Sequence, residues 1–141
     1  MTTLKELREL ANSGERMTVE FKETLSEAVI RGLSTDFASF ANTSGGIIVI
    51  GIDDSHNLVG YRPEKSERNR ISQEAGNCRP PVLIDFQKLT FQKKHFLVVN
   101  VPVSSSFHCD KRFRYPVRVG NTTQFLDPAG IITLVRNRLF D

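Results

Sequence analysis

Phe40-Ala-Asn-Thr-Ser-Gly-Gly-Ile-Ile-Val-Ile-Gly-Ile-Asp-Asp54 carries the chain out of a helix, through a glycine pair and into a strand. Upstream, Val29, Ile30, Leu33, Phe37, Phe40 and Ala41 recur at helical spacing and form one apolar face, with Ser26 placed to cap the first turn. Downstream, Ile47 to Ile52 is continuously apolar and rich in β-branched residues, which predicts a central strand buried on both faces. The order of parts rejects a phosphate loop. A Walker loop runs from strand to glycines to helix and needs Gly-Lys-Ser/Thr; here a helix leads in, a strand leads out and no lysine follows. Gly45-Gly46 reads instead as a helix-to-strand connection that uses glycine's access to positive φ.

On the amino-terminal side, Thr3-Leu-Lys-Glu6 has the form of a capping box, and Leu4, Leu7, Leu10 and Ala11 share one helical face. Asn12-Ser-Gly14 ends that helix. Val19 and Phe21 then alternate with Glu20 and Lys22 as in a half-buried strand. On the other side, Asp53 to Asn57 is a turn and Leu58 to Tyr61 a return strand. Pro63 opens a polar helix whose core contacts are Ile71 and Ala75, and Arg79-Pro-Pro81 ends it. Val82 to Phe91 and His95 to Val101 form a hairpin about Gln92-Lys-Lys94. Phe113 to Val119 reads as a further strand, and Asp127-Pro128 starts a last helix carrying Ile131, Ile132, Val135 and Leu139. Helices and strands alternate and a meander follows. The expectation is one α+β domain over residues 1–141, with a mixed sheet of about five to six strands flanked by three to four helices.

The 141 residues suffice for a real core. No stretch reaches the roughly 18 apolar residues of a membrane helix, and the first fifteen residues hold no apolar signal core, so a cytoplasmic protein is expected. The net charge of +3 hides an asymmetry. Residues 1–70 carry nine Lys/Arg against eleven Asp/Glu, and residues 71–141 carry ten against five. Carboxylates gathered beside basic charge can hold a hard divalent cation against a phosphodiester.

The candidate ligands are Glu15, Glu20, Asp53 and Asp54, at the ends of the strands expected around Val19 and Ile47. On a regular strand Glu15 and Glu20 would face opposite ways, so they can converge only through a bend between Glu15 and Thr18. Acidic residues at strand ends are also commonly solvated or close turns, and the residues themselves leave both readings open. Lys111-Arg-Phe-Arg-Tyr-Pro-Val-Arg118 interleaves cations with aromatics, the composition of a surface that holds phosphates and stacks on unpaired bases. The equal alternative is an edge strand that buries its aromatics and solvates its arginines. Cys78, His108 and Cys109 lack the Cys-x2-Cys spacing of a closed zinc site, so zinc is not expected.

Glu15-x4-Glu20-Phe21-Lys22, Phe40-Ala-Asn-Thr-x-Gly45-Gly46, Ile50-Gly-Ile-Asp-Asp54 and Val59-Gly60, taken in order, resemble the Schlafen AlbA_2 domain family. Tyr115-Pro-Val-Arg-Val-Gly-Asn-Thr-Thr123 resembles its terminal strand. The resemblance implies an α+β nucleic-acid-binding fold. It further implies, as in the eukaryotic Schlafen branch, a metal-dependent endoribonuclease that uses two Glu and one Asp on structured RNA such as tRNA. Carried over, that triad is Glu15, Glu20 and either Asp53 or Asp54, the motif favouring Asp54, with Mg²⁺ or Mn²⁺ as the ion. Lys22, Lys111, Arg112, Arg114 and Arg118 are then the expected phosphate-holding residues. Schlafen cores pair two such lobes, and a homodimer would rebuild that groove. The alternative is a non-catalytic DNA- or RNA-binding module in transcription regulation or complex assembly, the reading attached to many prokaryotic members.

Overall fold

The computed structural model describes residues 3–140. The side chains of Leu4, Leu139 and Phe140 lie outside that description, and with them the expected packing of Leu4 and Leu139. Ten elements follow in order: α1 (Leu4–Ser13), β1 (Val19–Lys22), α2 (Glu27–Asn42), β2 (Gly46–Ile50), α3 (Lys65–Gly76), β3 (Asp85–Phe91), β4 (Lys94–Val101), β5 (Pro116–Val119), β6 (Thr122–Phe125) and α4 (Pro128–Phe140). The fold is mixed α+β. Its six strands divide into a four-stranded sheet in the order β1-β2-β4-β3 and a separate β5-β6 hairpin.

The helix starts are set by local chemistry. Thr3 Oγ1 accepts the Glu6 N–H at 3.1 Å, Ser26 Oγ accepts that of Val29 at 3.3 Å, and Asp127 Oδ1 accepts that of Gly130 at 2.8 Å. Each satisfies an N–H that the first helical turn leaves without a partner. The glycine pair works through two different constraints. Gly45 has φ +70°, and a Cβ there would lie 2.8 Å from the backbone of Val101 and Val103. Gly46 has ordinary φ but no room, since a Cβ would stand 2.7 Å from the Thr18 carbonyl oxygen.

β1 and β2 are parallel neighbours in the register Val19↔Ile47 through Lys22↔Ile50, while β4 runs antiparallel to both β2 and β3. β2 is covered on both faces, as its composition requires. Ile48 and Ile50 pack with Ile30, Leu33, Phe37 and Phe40 of α2 and with Ile71 and Ala75 of α3. Val49 joins Val19, Phe21, Phe96 and Val98 against Leu7, Leu10 and Ala11 of α1 on the other face. Phe37 and Phe40 are fully buried; each such ring contributes roughly 1.5–3 kcal/mol.

Glu20 and Lys22 lie opposite Ile48 and Ile50 in the parallel register. Their side chains therefore belong to the face that α2 covers.

Local expectations change at several points, and the strand expected from Val82 begins at Asp85. Leu58 to Tyr61 is no strand but a segment carrying one bridge, Ile52↔Leu58. The hairpin turn is the pair Gln92-Lys93, both at positive φ, so β4 begins at Lys94. The last expected strand begins at Pro116 rather than Phe113, because residues 110–114 are wound into a turn about Asp110. In α4, Ile132 and Val135 stay 58% and 36% exposed. That helix is held instead by Arg138, which donates to the carbonyls of Asn42 and Ser104 and lies over the Phe107 ring.

Candidate functional site

The bend demanded between Glu15 and Thr18 is present. Arg16 and Val19 exchange both backbone hydrogen bonds, and the reversed chain lets Glu15 Oε2 accept the Phe21 N–H at 3.2 Å on β1. Beside it, His56 meets the Phe21 ring edge-on with centroids 5.6 Å apart. The loop that carries Asp53 and Asp54 therefore does reach the Glu15 bend. Asp53 itself closes its own turn: Oδ1 accepts the N–H groups of Ser55 and Asn57 at 3.0 and 2.8 Å. These bonds, that of Asn57 foremost, hold its pKa below the usual carboxylate value. Asp54 is exposed.

Glu20 faces the other way, into a charge cluster beneath α2. Arg118 Nη1 reaches Glu20 Oε1 at 3.2 Å, and Lys22 Nζ lies 3.5 Å from both Glu20 Oε2 and Asp36 Oδ2. Arg118 is only 3% exposed; its guanidinium also donates to the Arg16 and Val19 carbonyls and rests over the Phe40 ring. Burial first, and then the Glu20 charge, push the Asp36 carboxyl up to about 7 against the pull of Lys22 and Arg118. Burial opposes the Lys22 ammonium, yet Asp36 and Glu20 outweigh it and raise its pKa. Glu20 Oε2 is buried without a hydrogen bond and has the Lys22 ammonium beside it.

Glu15, Glu20 and Asp53 are thus engaged separately, and Asp54 lies exposed. Among the described residues no three His, Cys, Asp or Glu side chains come together as a metal-holding group. Cys78 Sγ lies 3.2 Å from the Ser34 carbonyl oxygen, with its thiol pushed up to about 12, chiefly by burial. Both His108 ring nitrogens are taken, by Pro80 O at 2.6 Å and Ser104 Oγ at 2.7 Å. Cys109 is a buried free thiol.

Of the expected phosphate-holding cations, Lys22 and Arg118 belong to this inner cluster. Lys111 is paired with Glu74 at 2.7 Å. Arg114 is paired with Asp110 at 2.9 Å and stacks on Phe125, 4.2 Å from the ring centroid. Arg112 is exposed, and its side chain enters no ion pair among the described residues.

Asp110 organises this stretch. It is fully buried and accepts the backbone N–H groups of Arg112 and Arg114 at 2.9 and 3.0 Å, the Thr35 hydroxyl at 2.8 Å and Arg114 Nε at 3.0 Å. Burial works against its ionisation, but these donors prevail and lower its pKa. The turn so fixed holds Phe113 at φ 61° and 67% exposed, with the Arg79 guanidinium 5.3 Å from its centroid.

Sequence reasoning missed Asp36, Thr35 and Asp110. Asp36 did leave a signal: it is the sole charge between Gly32 and Asn42 in an otherwise uncharged half of α2. Asp110 left none, since an Asp before Lys-Arg looks like any solvated loop residue.

An α+β sheet domain with an internal Glu-Lys-Asp-Arg cluster and an external Phe-Arg turn is the class defined here. The family model described as Schlafen, AlbA_2 matches residues 15–127, and the chain belongs to that family. Among solved structures, the DIP2311 protein from Corynebacterium diphtheriae superposes with a TM-score of 0.70 at 18% identity, over 97% of this chain and 32% of that one. The chain therefore spans about a third of the DIP2311 protein. The N-terminal domain of a RecG-related protein from Nitrosomonas europaea matches with a TM-score of 0.51 at 19% identity, over 73% of this chain and 74% of that domain. At such identities both likenesses concern the fold.

Proposed function

We propose that this chain is a nucleic-acid-binding domain that engages unpaired bases through the turn at Asp110–Arg114. The observation that carries this reading is Phe113, a ring 67% exposed on a turn fixed by a fully buried aspartate. The bonds to Asp110 fix the backbone on either side of the ring, and the Arg79 guanidinium lies over it. A base stacked on such a ring is worth roughly 1–3 kcal/mol, and the neighbouring guanidinium groups meet phosphates without regard to sequence. The family and the RecG-related fold neighbour support a nucleic-acid role.

Fluorescence anisotropy with a labelled single-stranded oligonucleotide tests it. Phe113→Ala is expected to weaken binding by about 5- to 150-fold, the equivalent of one lost stack. Arg112→Ala is expected to flatten the salt dependence by about 0.7 in the log–log slope. Equal affinities for Phe113→Ala and the parent chain would sink the proposal.

Metal-dependent RNA cleavage is the second reading, favoured by Glu20 Oε2, which is buried and lacks a hydrogen bond. In it, Glu15, Glu20 and Asp54 or Asp53 would hold Mg²⁺ or Mn²⁺, which supplies an activated water and neutralises phosphate charge. The described arrangement does not fit that ion as it stands, because Lys22 and Arg118 already flank Glu20. Incubation of tRNA with Mn²⁺ checks the point: cleavage that Glu20→Gln abolishes supports the enzyme, and cleavage indifferent to it removes Glu20 from any catalytic role. A paired two-lobed assembly, the homodimer, would show as a doubled mass in light scattering.

A further inference from the structure

A basic concavity lies away from the Phe113 turn, in residues that no expectation singled out. The first turn of α3 and the strand pair β3-β4 enclose about 650 Å³ lined by Arg62, Lys65, Arg68, Lys88 and His95, with Glu64 as its one carboxylate. The fold brings them together by register. Lys88 and Thr90 alternate on β3 and stand opposite Leu97 and His95 of β4. Leu97 belongs to the core under α2 and α3, so this is the sheet face that α3 partly covers. The Tyr61 N–H donates to the His95 carbonyl at 2.7 Å, which ties the segment leading into α3 to β4 and sets Arg62 close to His95. Lys65 and Arg68, three residues apart, share one side of the helix.

These cations differ from Lys111, Arg114 and Arg118 in being unspent. Among the described residues the ion pairs engage Lys22, Arg31, Arg70, Lys111, Arg114 and Arg118. Arg62, Lys65, Arg68 and Lys88 enter none. Nearby Glu67 forms no ion pair with them; its two oxygens accept the Glu64 N–H at 2.9 Å and the Tyr61 hydroxyl at 2.6 Å. Four permanent positive charges gathered in one concavity with a single carboxylate focus a positive potential there. The wall's one phenyl ring, Phe96, is 1% exposed, which leaves the exposed His95 imidazole as the ring that can meet a base. Four cations against one small imidazole favour phosphate over bases. The volume is that of a site for a ligand much larger than one phosphate.

We propose that this cavity is a phosphate-binding site, independent of sequence, which takes consecutive phosphate groups of a nucleic-acid strand or of a free polyphosphate. It stands apart from the Phe113 turn and needs no nucleic acid to be tested. The test compares the parent chain with the triple variant Arg62→Gln/Arg68→Gln/Lys88→Gln, whose side chains sit in no hydrogen bond that the fold requires. Inorganic triphosphate binding is measured by calorimetry, and binding of a labelled oligouridylate by anisotropy across a salt series. The expected result is loss of triphosphate binding by about tenfold or more, and an RNA salt slope reduced by about 2, three contacts at about 0.7 each. A triphosphate effect alone assigns the site to free polyphosphate, and a slope effect alone assigns it to a strand. If neither measurement changes, the proposal is overturned, and the Phe113 reading still stands or falls by its own variant.

Discussion

Replacing Asp36 with asparagine should abolish a pH dependence of stability that the native cluster creates. In the folded chain, burial and the Glu20 charge keep the Asp36 proton up to about pH 7, whereas in the unfolded chain the carboxyl releases it near its ordinary 3.8. Across that window the unfolded state binds fewer protons than the native state, so stability must fall as pH rises. About three pH units at roughly 1.4 kcal/mol each set a ceiling near 4 kcal/mol. The real figure is smaller, roughly 1–3 kcal/mol, because Asp36 and Glu20 share the titration and solvent reaches part of the carboxylate. Lys22 remains charged throughout, its own pKa being raised. The amide introduced by Asp36→Asn would resemble the protonated acid and carry none of this term. Urea denaturation followed by circular dichroism at pH 4, 5, 6, 7 and 8 reads the difference directly. The Asp36→Asn variant should gain on the parent chain between pH 4 and 7 and hold its gain above. Parallel stability curves over that interval would refute the cluster's electrostatics.

Arg118→Met removes the donor to Glu20 Oε1 and the second donor to each of the Arg16 and Val19 carbonyls, which keep only their backbone N–H partners. Breaking a buried pair in this way costs about 3–5 kcal/mol in a urea denaturation series, and Arg118→Lys should recover little because one ammonium nitrogen cannot occupy the positions of both Nη1 and Nη2. A loss below about 1 kcal/mol would mean that the pair is solvated in solution. Asn42 is 2% exposed, donates to the His108 and Pro116 carbonyls at 2.8 and 2.9 Å and accepts the His108 N–H at 2.9 Å. Asn42→Ala should therefore lower stability by about 3 kcal/mol, and Asn42→Asp, which can accept but not donate, should not rescue it.

The parts of the fold that were legible in the sequence are those fixed by short-range chemistry. The caps at Thr3, Ser26 and Asp127 and the apolar period of α2 each lie within a few residues. Even the pairing of β1 with β2 rests on a strand that has to be buried on both faces. Illegible were the contacts across 75 residues and more, such as Thr35 to Asp110 and Glu20 to Arg118. Nothing local distinguishes an arginine that will be 3% exposed from one that will meet solvent, because both sit in alternating strands beside β-branched neighbours. The strand predicted from Phe113 failed for a related reason. Alternation held from Arg112 to Val119, but a buried carboxylate two residues upstream captured the backbone N–H groups that a ladder would have used.

The charge asymmetry of the chain illustrates the same limit and turns it into an argument about function. Counted along the sequence, the second half is the basic one. Folding reverses its meaning: Lys111, Arg114 and Arg118 of that half are neutralised by Glu74, Asp110 and Glu20. Arg62, Lys65 and Arg68, from the acidic half, are left without an ion pair and meet Lys88 in one cavity. Attraction for a polyanion depends on cations free to release their counterions, not on the formal total. The surface that draws phosphate is therefore assembled from both halves, at the opposite end of α3 from the turn that presents Phe113. A 12-residue helix spans about 18 Å. A strand held at both ends of α3 would need several nucleotides between its stacked base and its gripped phosphates. Oligonucleotides too short to cover that span should lose the dependence on Arg62, Arg68 and Lys88 while keeping the dependence on Phe113.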